Sequence, residues 1–262
     1  NGEVLDRLRF DGLPIKPTAG RPIPSWMKDG TGMGLFIHWG LNGWSLFRGK
    51  EGNEELVKEW PKSFTASDYD PDKWMNAAKR AGFEYSVLTT RHHAGFMLWP
   101  SETEKVGGWG VNQYLNGRDL VKPWVEACRK NDIAVGFYFS PINWMWKSKD
   151  FPHRGFPRKN NWIREVQFVE GWSKEDLQEV LDKWIEQDVF PCMQELLTRY
   201  GKVDYAWFDG FNWPRVGLDF KYEEAKELLL KNQPDILLNP RYNNWGESPK
   251  FGDLGTAEGR FP

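Results

Sequence analysis

Three apolar runs in this chain each stop at a side chain able to do chemistry. Gly34-Leu35-Phe36-Ile37-His38-Trp39-Gly40 delivers His38, Tyr85-Ser86-Val87-Leu88-Thr89-Thr90-Arg91-His92-His93 delivers an adjacent histidine pair, and Tyr205-Ala206-Trp207-Phe208-Asp209-Gly210 delivers Asp209. Three of the four histidines lie at these ends. Polar groups repeated at strand ends point to an enzyme whose site is assembled along one rim of a parallel sheet. A carboxylate so placed can act as a nucleophile, while its competing structural roles are a helix N-cap or an Asx-turn before Gly210. Neutral imidazole donates and accepts at once, which suits a hydroxyl ligand, although a lone histidine is as readily a satisfied core residue. If the second strand runs on through His92 and His93, alternation lets only one of them face the site. Histidines and an aspartate on strand ends can also ligate zinc, but barrel metallohydrolases usually place two histidines two apart on the first strand, where this chain has one.

The elements that must carry these groups alternate along the chain. Strands are predicted at 33–39, Tyr85–Arg91, 133–140, 203–208 and 235–239, with a sixth beginning near 251–254. Between them, helices are predicted at Pro71–Arg80, 118–130, 177–200 with an interruption at Pro191, and 222–231. Asp70 is the expected N-cap of the first helix, Pro71 its N1 residue and Gly82 its stop signal. Such βα alternation implies a parallel sheet, and near-continuous apolar strands such as Val135-Gly136-Phe137-Tyr138-Phe139 imply burial on both faces. No glycine-rich phosphate turn follows the first strand, which favours a (β/α)8 TIM-like barrel over a doubly wound sheet. Five or six strands fall short of eight, so the barrel is expected to be open, otherwise completed or incomplete at its C-terminal end. Two long connections, 41–70 and 141–173, are expected to bear site residues or lids.

Composition narrows the ligand. A formal net charge of -2 over 262 residues gives no reason to expect nucleic acid or an anionic membrane as partner. The 16 Trp and 17 Phe exceed what a core alone suggests, and rings beside polar groups suit sugars, whose C–H faces pack on aromatics. Cys128 and Cys192 lack CxxC spacing, so buried free thiols are expected, with a disulfide left open. No apolar run approaches the roughly 18 residues of a membrane span. The chain opens on Asn1 with no signal-peptide pattern and reads as a mature or trimmed form.

Taken together, the His38-Trp39-Gly40, Glu59-Trp60, His92-His93-Ala94-Gly95-Phe96 and Trp207-Phe208-Asp209-Gly210 segments resemble the retaining α-L-fucosidases of glycoside hydrolase family 29, in order and spacing, from about Trp26 to Glu258. The resemblance implies a single catalytic barrel domain over 1–262, without the C-terminal β-sandwich of that family. It implies an exo-acting glycosidase that removes terminal α-L-fucosyl groups by double displacement, with a fucosylated glycan or glycoside as partner and no cofactor. Asp209 would be the nucleophile. His38, His92, His93, Glu59, Trp60, Tyr138 and Arg241 would bind substrate. Retaining chemistry needs a second carboxyl group about 5–5.5 Å away; Glu258 is the first choice for acid/base, with Asp253 and Glu247 as rivals. The family often has Lys-His-His-Asp-Gly-Phe where this chain has Arg91-His92-His93-Ala94-Gly95-Phe96, and a second tyrosine where it has Phe139. A weakly active or silent sugar-binding barrel and a metal-dependent barrel hydrolase are the other readings. Oligomeric state is left open, and a secreted, periplasmic or lysosomal setting follows from the resemblance alone.

Overall fold

The computed structural model describes residues 27, 32–41, 59–143, 173–209, 218–242 and 252–253. Its centre is a five-stranded parallel sheet: β1 (Gly34–Ile37), β2 (Tyr85–Arg91), β3 (Ala134–Phe139), β4 (Tyr205–Phe208) and β5 (Leu237–Leu238). They lie side by side in sequence order. A doubly wound sheet reverses direction at a switch point, and none occurs among these five. The arrangement is an arc of the kind that builds a (β/α)8 barrel. Next to β5, Asp253 N–H donates to Leu238 O at 2.7 Å, where a sixth strand would pair.

The helices are α1 (Pro71–Arg80), α2 (Val121–Lys130), α3 (Lys174–Trp184), α4 (Phe190–Arg199) and α5 (Tyr222–Asn232). In α1, Asp70 accepts the Lys73 N–H at 3.0 Å, and Gly82, at φ +84°, ends the helix with Gly82 N–H on Lys79 O and Phe83 N–H on Ala78 O. The helix expected from residue 118 begins at Val121, because Asp119 accepts both the Val121 and Lys122 N–H groups. The expected 177–200 helix begins earlier, at Lys174, behind a reciprocal cap between Ser173 and Asp176. Its interruption is a π turn, Ile185–Val189, just ahead of Pro191. Proline has no N–H to return to the preceding turn, and the widened turn accommodates that loss.

Two apolar clusters follow from the two faces of the sheet. The larger packs the outer face against the helices, through residues such as Leu88, Phe137, Phe139, Trp124 and Leu181. The smaller lies on the inner face and includes Val87, Tyr138 and Tyr205, with Tyr85 and Trp207 partly buried against it. Both cysteines are free and buried. Among the described residues, no helix is long and apolar enough to cross a membrane.

Candidate active site

Period-two alternation decides what the inner face presents at its rim: Phe36 and His38 from β1, Tyr138 and Ser140 from β3, Trp207 and Asp209 from β4. Asp209 follows the last residue of β4 and is the focus. Tyr138 Oη donates to its Oδ2 at 2.8 Å, Arg241 Nη2 lies 3.0 Å from Oδ1, and His93 Nε2 lies 3.6 Å from Oδ2. Each oxygen is therefore held by a different donor, which fixes the plane of the carboxylate. Arg241 comes from a short 3-10 turn, Pro240–Tyr242, directly after β5, and it is buried. Its guanidinium also sits 5.0 Å from the Trp207 ring centre, a cation–π contact that pins it from behind. Trp207 in turn stacks on Tyr138, and Phe36 meets both rings edge-on.

The condition under which only one of the two histidines could face the site is not met. The strand ends at Arg91, with a register shift between Thr89 and Arg91, so His92 and His93 lie in a turn and not on alternating faces. That turn closes with Gly95 N–H on His92 O at 2.8 Å, and the Trp109 indole holds Ala94 O at 2.8 Å. Gly95 has φ +85°, and a Cβ there would come within 1.9 Å of Asn143 Oδ1, so only glycine fits. Both rings consequently reach the same place. Their centroids are 4.3 Å apart; His92 stacks on Tyr138 and meets the His38 ring at 4.7 Å. Ala94, at the family's aspartate position, is wholly buried in the outer core, where a carboxylate would be desolvated.

Packing sets the protonation state. Burial, then the neighbouring His93 and His38, pull the His92 pKa down to about 2. Burial also lowers the His38 pKa, against the opposing charge of Asp209. His92 is thus a neutral ring at ordinary pH, and its Nδ1 is buried with no hydrogen-bond partner among the described residues. Such an atom is costly unless something polar approaches it.

Of the residues singled out from sequence, His38, His92, His93, Tyr138, Asp209 and Arg241 come together. Glu59 and Trp60 do not join them by direct contact. Glu59 is exposed with its carboxylate on Lys62 at 2.6 Å, and Trp60 packs on the outer core. An exposed ion pair of this kind holds a side chain only weakly. Glu258 and Glu247 lie outside the described residues. Asp253 is removed as an acid/base candidate: its Oδ2 accepts the Leu238 N–H at 3.0 Å, and Leu238 is level with Ala206. Three residues of strand separate Ala206 from Asp209, roughly 10 Å at ~3.3 Å per residue, too far for a retaining pair. Phe139 points to the outer core, against Phe208 and the Arg91 guanidinium, so a tyrosine at that position would also point outward in this fold. Sequence reasoning missed Ser140, Trp207 and Phe36; counting back and forward by two from Tyr138, Asp209 and His38 finds all three.

Among the described residues, a metal reading has one grouping to work with. His92, His93 and Asp209 offer ligand atoms within 4.8 Å of one another. Yet both Asp209 oxygens are engaged by Tyr138 and Arg241, and the guanidinium already supplies positive charge there. A cation would have to displace or sit against it.

Against known proteins, the sequence profile of the α-L-fucosidase family matches residues 13–259. The tissue α-L-fucosidase of Macaca fascicularis is 33% identical over 268 residues, covering 92% of this chain and 51% of that protein. α-L-Fucosidase isoenzyme 1 from Paenibacillus thiaminolyticus superposes with a TM-score of 0.62 at 29% identity, over 84% of this chain and 51% of that one. A family 29 α-L-fucosidase from Bacteroides thetaiotaomicron gives 0.61 at 25% identity, over 86% of this chain and 49% of that one. The chain spans about half the length of the curated relatives it matches first.

Proposed function

Because this chain belongs to the α-L-fucosidase family, we propose that it hydrolyses terminal α-L-fucosyl linkages with retention of configuration. The observation that carries this reading is the setting of Asp209: a rim carboxylate, oriented by Tyr138 and Arg241, with His93 beside it and the neutral His92 ring next to that.

In the first step an Asp209 oxygen attacks the anomeric carbon as the aglycone oxygen leaves with a proton from a second carboxyl group. In the second, that group takes a proton from water, whose oxygen displaces Asp209 and restores the carboxylate. Arg241 and Tyr138 each hold one oxygen of the Asp209 carboxylate and so orient it. They keep it available for attack and assist its departure from the glycosyl ester. Neutral His92 can donate to one sugar hydroxyl and accept from another, and its bare Nδ1 is suited to such a partner. Phe36, Tyr138 and Trp207 give the inner face an apolar wall for the C–H edge of the sugar. The resemblance keeps Glu258 as acid/base and Glu59 and Trp60 as substrate-binding residues. The chemistry asks for no cofactor.

Turnover of an aryl α-L-fucoside tests the reading. Asp209→Ala should lower the rate by at least about a thousandfold while leaving the circular dichroism spectrum unchanged, and azide should recover part of it by filling the vacated position. Near-parental turnover in Asp209→Ala would remove Asp209 from the mechanism. Binding of fucose without turnover in the parent would favour a sugar-binding domain, and loss of rate with a chelator would favour the metal reading.

A further inference from the structure

Ser140 stands one residue beyond β3 and is fully buried. Its Oγ lies 2.5 Å from His93 Nδ1 and accepts the Ile142 N–H at 3.1 Å. Among the described residues, the other acceptors within reach of its proton, Ile142 O and Asp209 O, are farther, at 3.3 and 3.5 Å. Across the imidazole, Nε2 lies 3.6 Å from Asp209 Oδ2. An ionised carboxylate only accepts, so a bare Nε2 would set two lone pairs against each other. A hydrogen on Nε2 removes that repulsion and, in a neutral ring, leaves Nδ1 as an acceptor in need of a donor. The Ser140 hydroxyl is the nearest one.

We propose that Ser140 is a positioning residue that fixes His93 as its Nε2–H tautomer and holds that N–H toward Asp209. The role depends on the backbone of Ser140 staying in place, and a buried ion pair secures it. Arg91 Nε donates to Ser140 O at 3.1 Å, and Ser140 N–H donates to Arg91 O at 2.9 Å. The same guanidinium contacts Asp188 at 2.9 Å, with both side chains fully buried, and lies 4.3 Å from the Phe139 ring centre. Asp188 is fixed in turn by the Trp184 indole at 3.0 Å. A line of contacts therefore runs from the π turn through Arg91 and Ser140 to the far nitrogen of His93. Ring nitrogens are commonly set in this way, by what the opposite nitrogen is bonded to. The catalytic consequence rests on the fucosidase reading; the tautomer does not.

The test is a two-bond 15N–1H correlation spectrum of the full chain labelled at histidine, with His93 assigned by its loss in His93→Gln. Near neutral pH the parent should show a bare Nδ1 and a protonated Nε2. Ser140→Ala should move His93 toward a tautomer mixture, and Ser140→Thr, which keeps the hydroxyl, should restore the parental pattern. Turnover of an aryl α-L-fucoside should follow, with a loss of about tenfold to a hundredfold in Ser140→Ala that Thr recovers. If the alanine variant does not fold, Ser140→Cys, a weak donor of similar size, must show the same shift. A protonated Nδ1 in the parent, or an unchanged His93 signal in the folded Ala or Cys variant, overturns the proposal. Absence of turnover in the parent would sink the fucosidase reading while the spectrum still decides the tautomer.

Discussion

His92 shows how a single side chain records the cost of its own placement. Its pKa lies far below the ordinary histidine value of 6.5, at about 2, mainly through burial. Unfolded, the ring takes a proton near pH 6.5; folded, it does not until far lower pH. The unfolded state therefore binds more protons between those two values, and stability rises with pH across that window. Below about pH 6.5 this one group should remove about 1.4 kcal/mol of stability per pH unit. His38 shifts in the same direction and adds to the slope. Urea unfolding at pH 7.5 and pH 5 should show the parent losing more stability on acidification than His92→Gln, and equal losses would contradict the assignment. The histidine pair was visible in the sequence, but its shared orientation was not. Alternation assumes a strand, and it is the turn closed by Gly95 that turns both rings the same way.

Among the elements, the joint between α3 and α4 carries the most consequence. Leu181, Ile185, Val189, Met193 and Leu197 are all buried and fall every four residues. An α-helical stripe mixes steps of three and four, so an unbroken run of fours drifts about 40° per step unless the helix widens. The run of fours was a signal for the π turn, although Pro191 alone drew the eye to it. What no pattern revealed is the partner of Asp188, because Arg91 lies 97 positions away and only the fold joins them. Removing one side of a buried pair leaves the other charged and desolvated. Arg91→Met should therefore cost about 3–5 kcal/mol. Arg91→Lys should cost less, since it keeps the charge beside Asp188 while giving up the bonds to the Ser140 and Pro141 carbonyls. Equal destabilisation of the two variants in urea would show that charge is not what matters there. Strands β2 and β3 were readable nearly to the residue because they are rich in β-branched or aromatic residues and are buried beyond their first position. Strand β5 is two residues long and was overestimated, as only its pairing with β4 defines it.

Across the whole molecule, stability and chemistry are divided between the two faces of the sheet. The outer face meets the helices in the larger core; the inner face carries Tyr138, Trp207 and the site. Leu181→Ala, on the outer side and fully buried, should lower unfolding free energy by about 2–5 kcal/mol yet, on the proposed function, leave kcat/KM of the folded protein for an aryl α-L-fucoside near parental. Tyr138→Phe should do the reverse, changing stability by about 1 kcal/mol and lowering turnover through the lost bond to Asp209. Paired melts and kinetics decide it, and a variant that damaged both properties alike would show the faces to be coupled. The parallel alternating plan was evident from sequence because each strand stands between turn signals. The strand order was legible only indirectly, through the missing glycine-rich turn and the polar strand ends that favoured a barrel, and the sequential order observed agrees with that expectation.

That order also has a history in time. Ribosomes release a chain at about 5–20 residues per second, and here no strand must wait for a later one before finding its neighbour. Fifty-one residues separate Leu35 from the Ser86 that bonds to it, and 31 separate Phe208 from Asn239. The nascent sheet can therefore lengthen sideways one strand at a time, at intervals of seconds, with its newest edge exposed until the next arrives. Tyr138 and the three histidines are in place well before Asp209, which follows Tyr138 by 71 residues. The chain is complete enough to seat those rings before it has the carboxylate, and Arg241 comes later still.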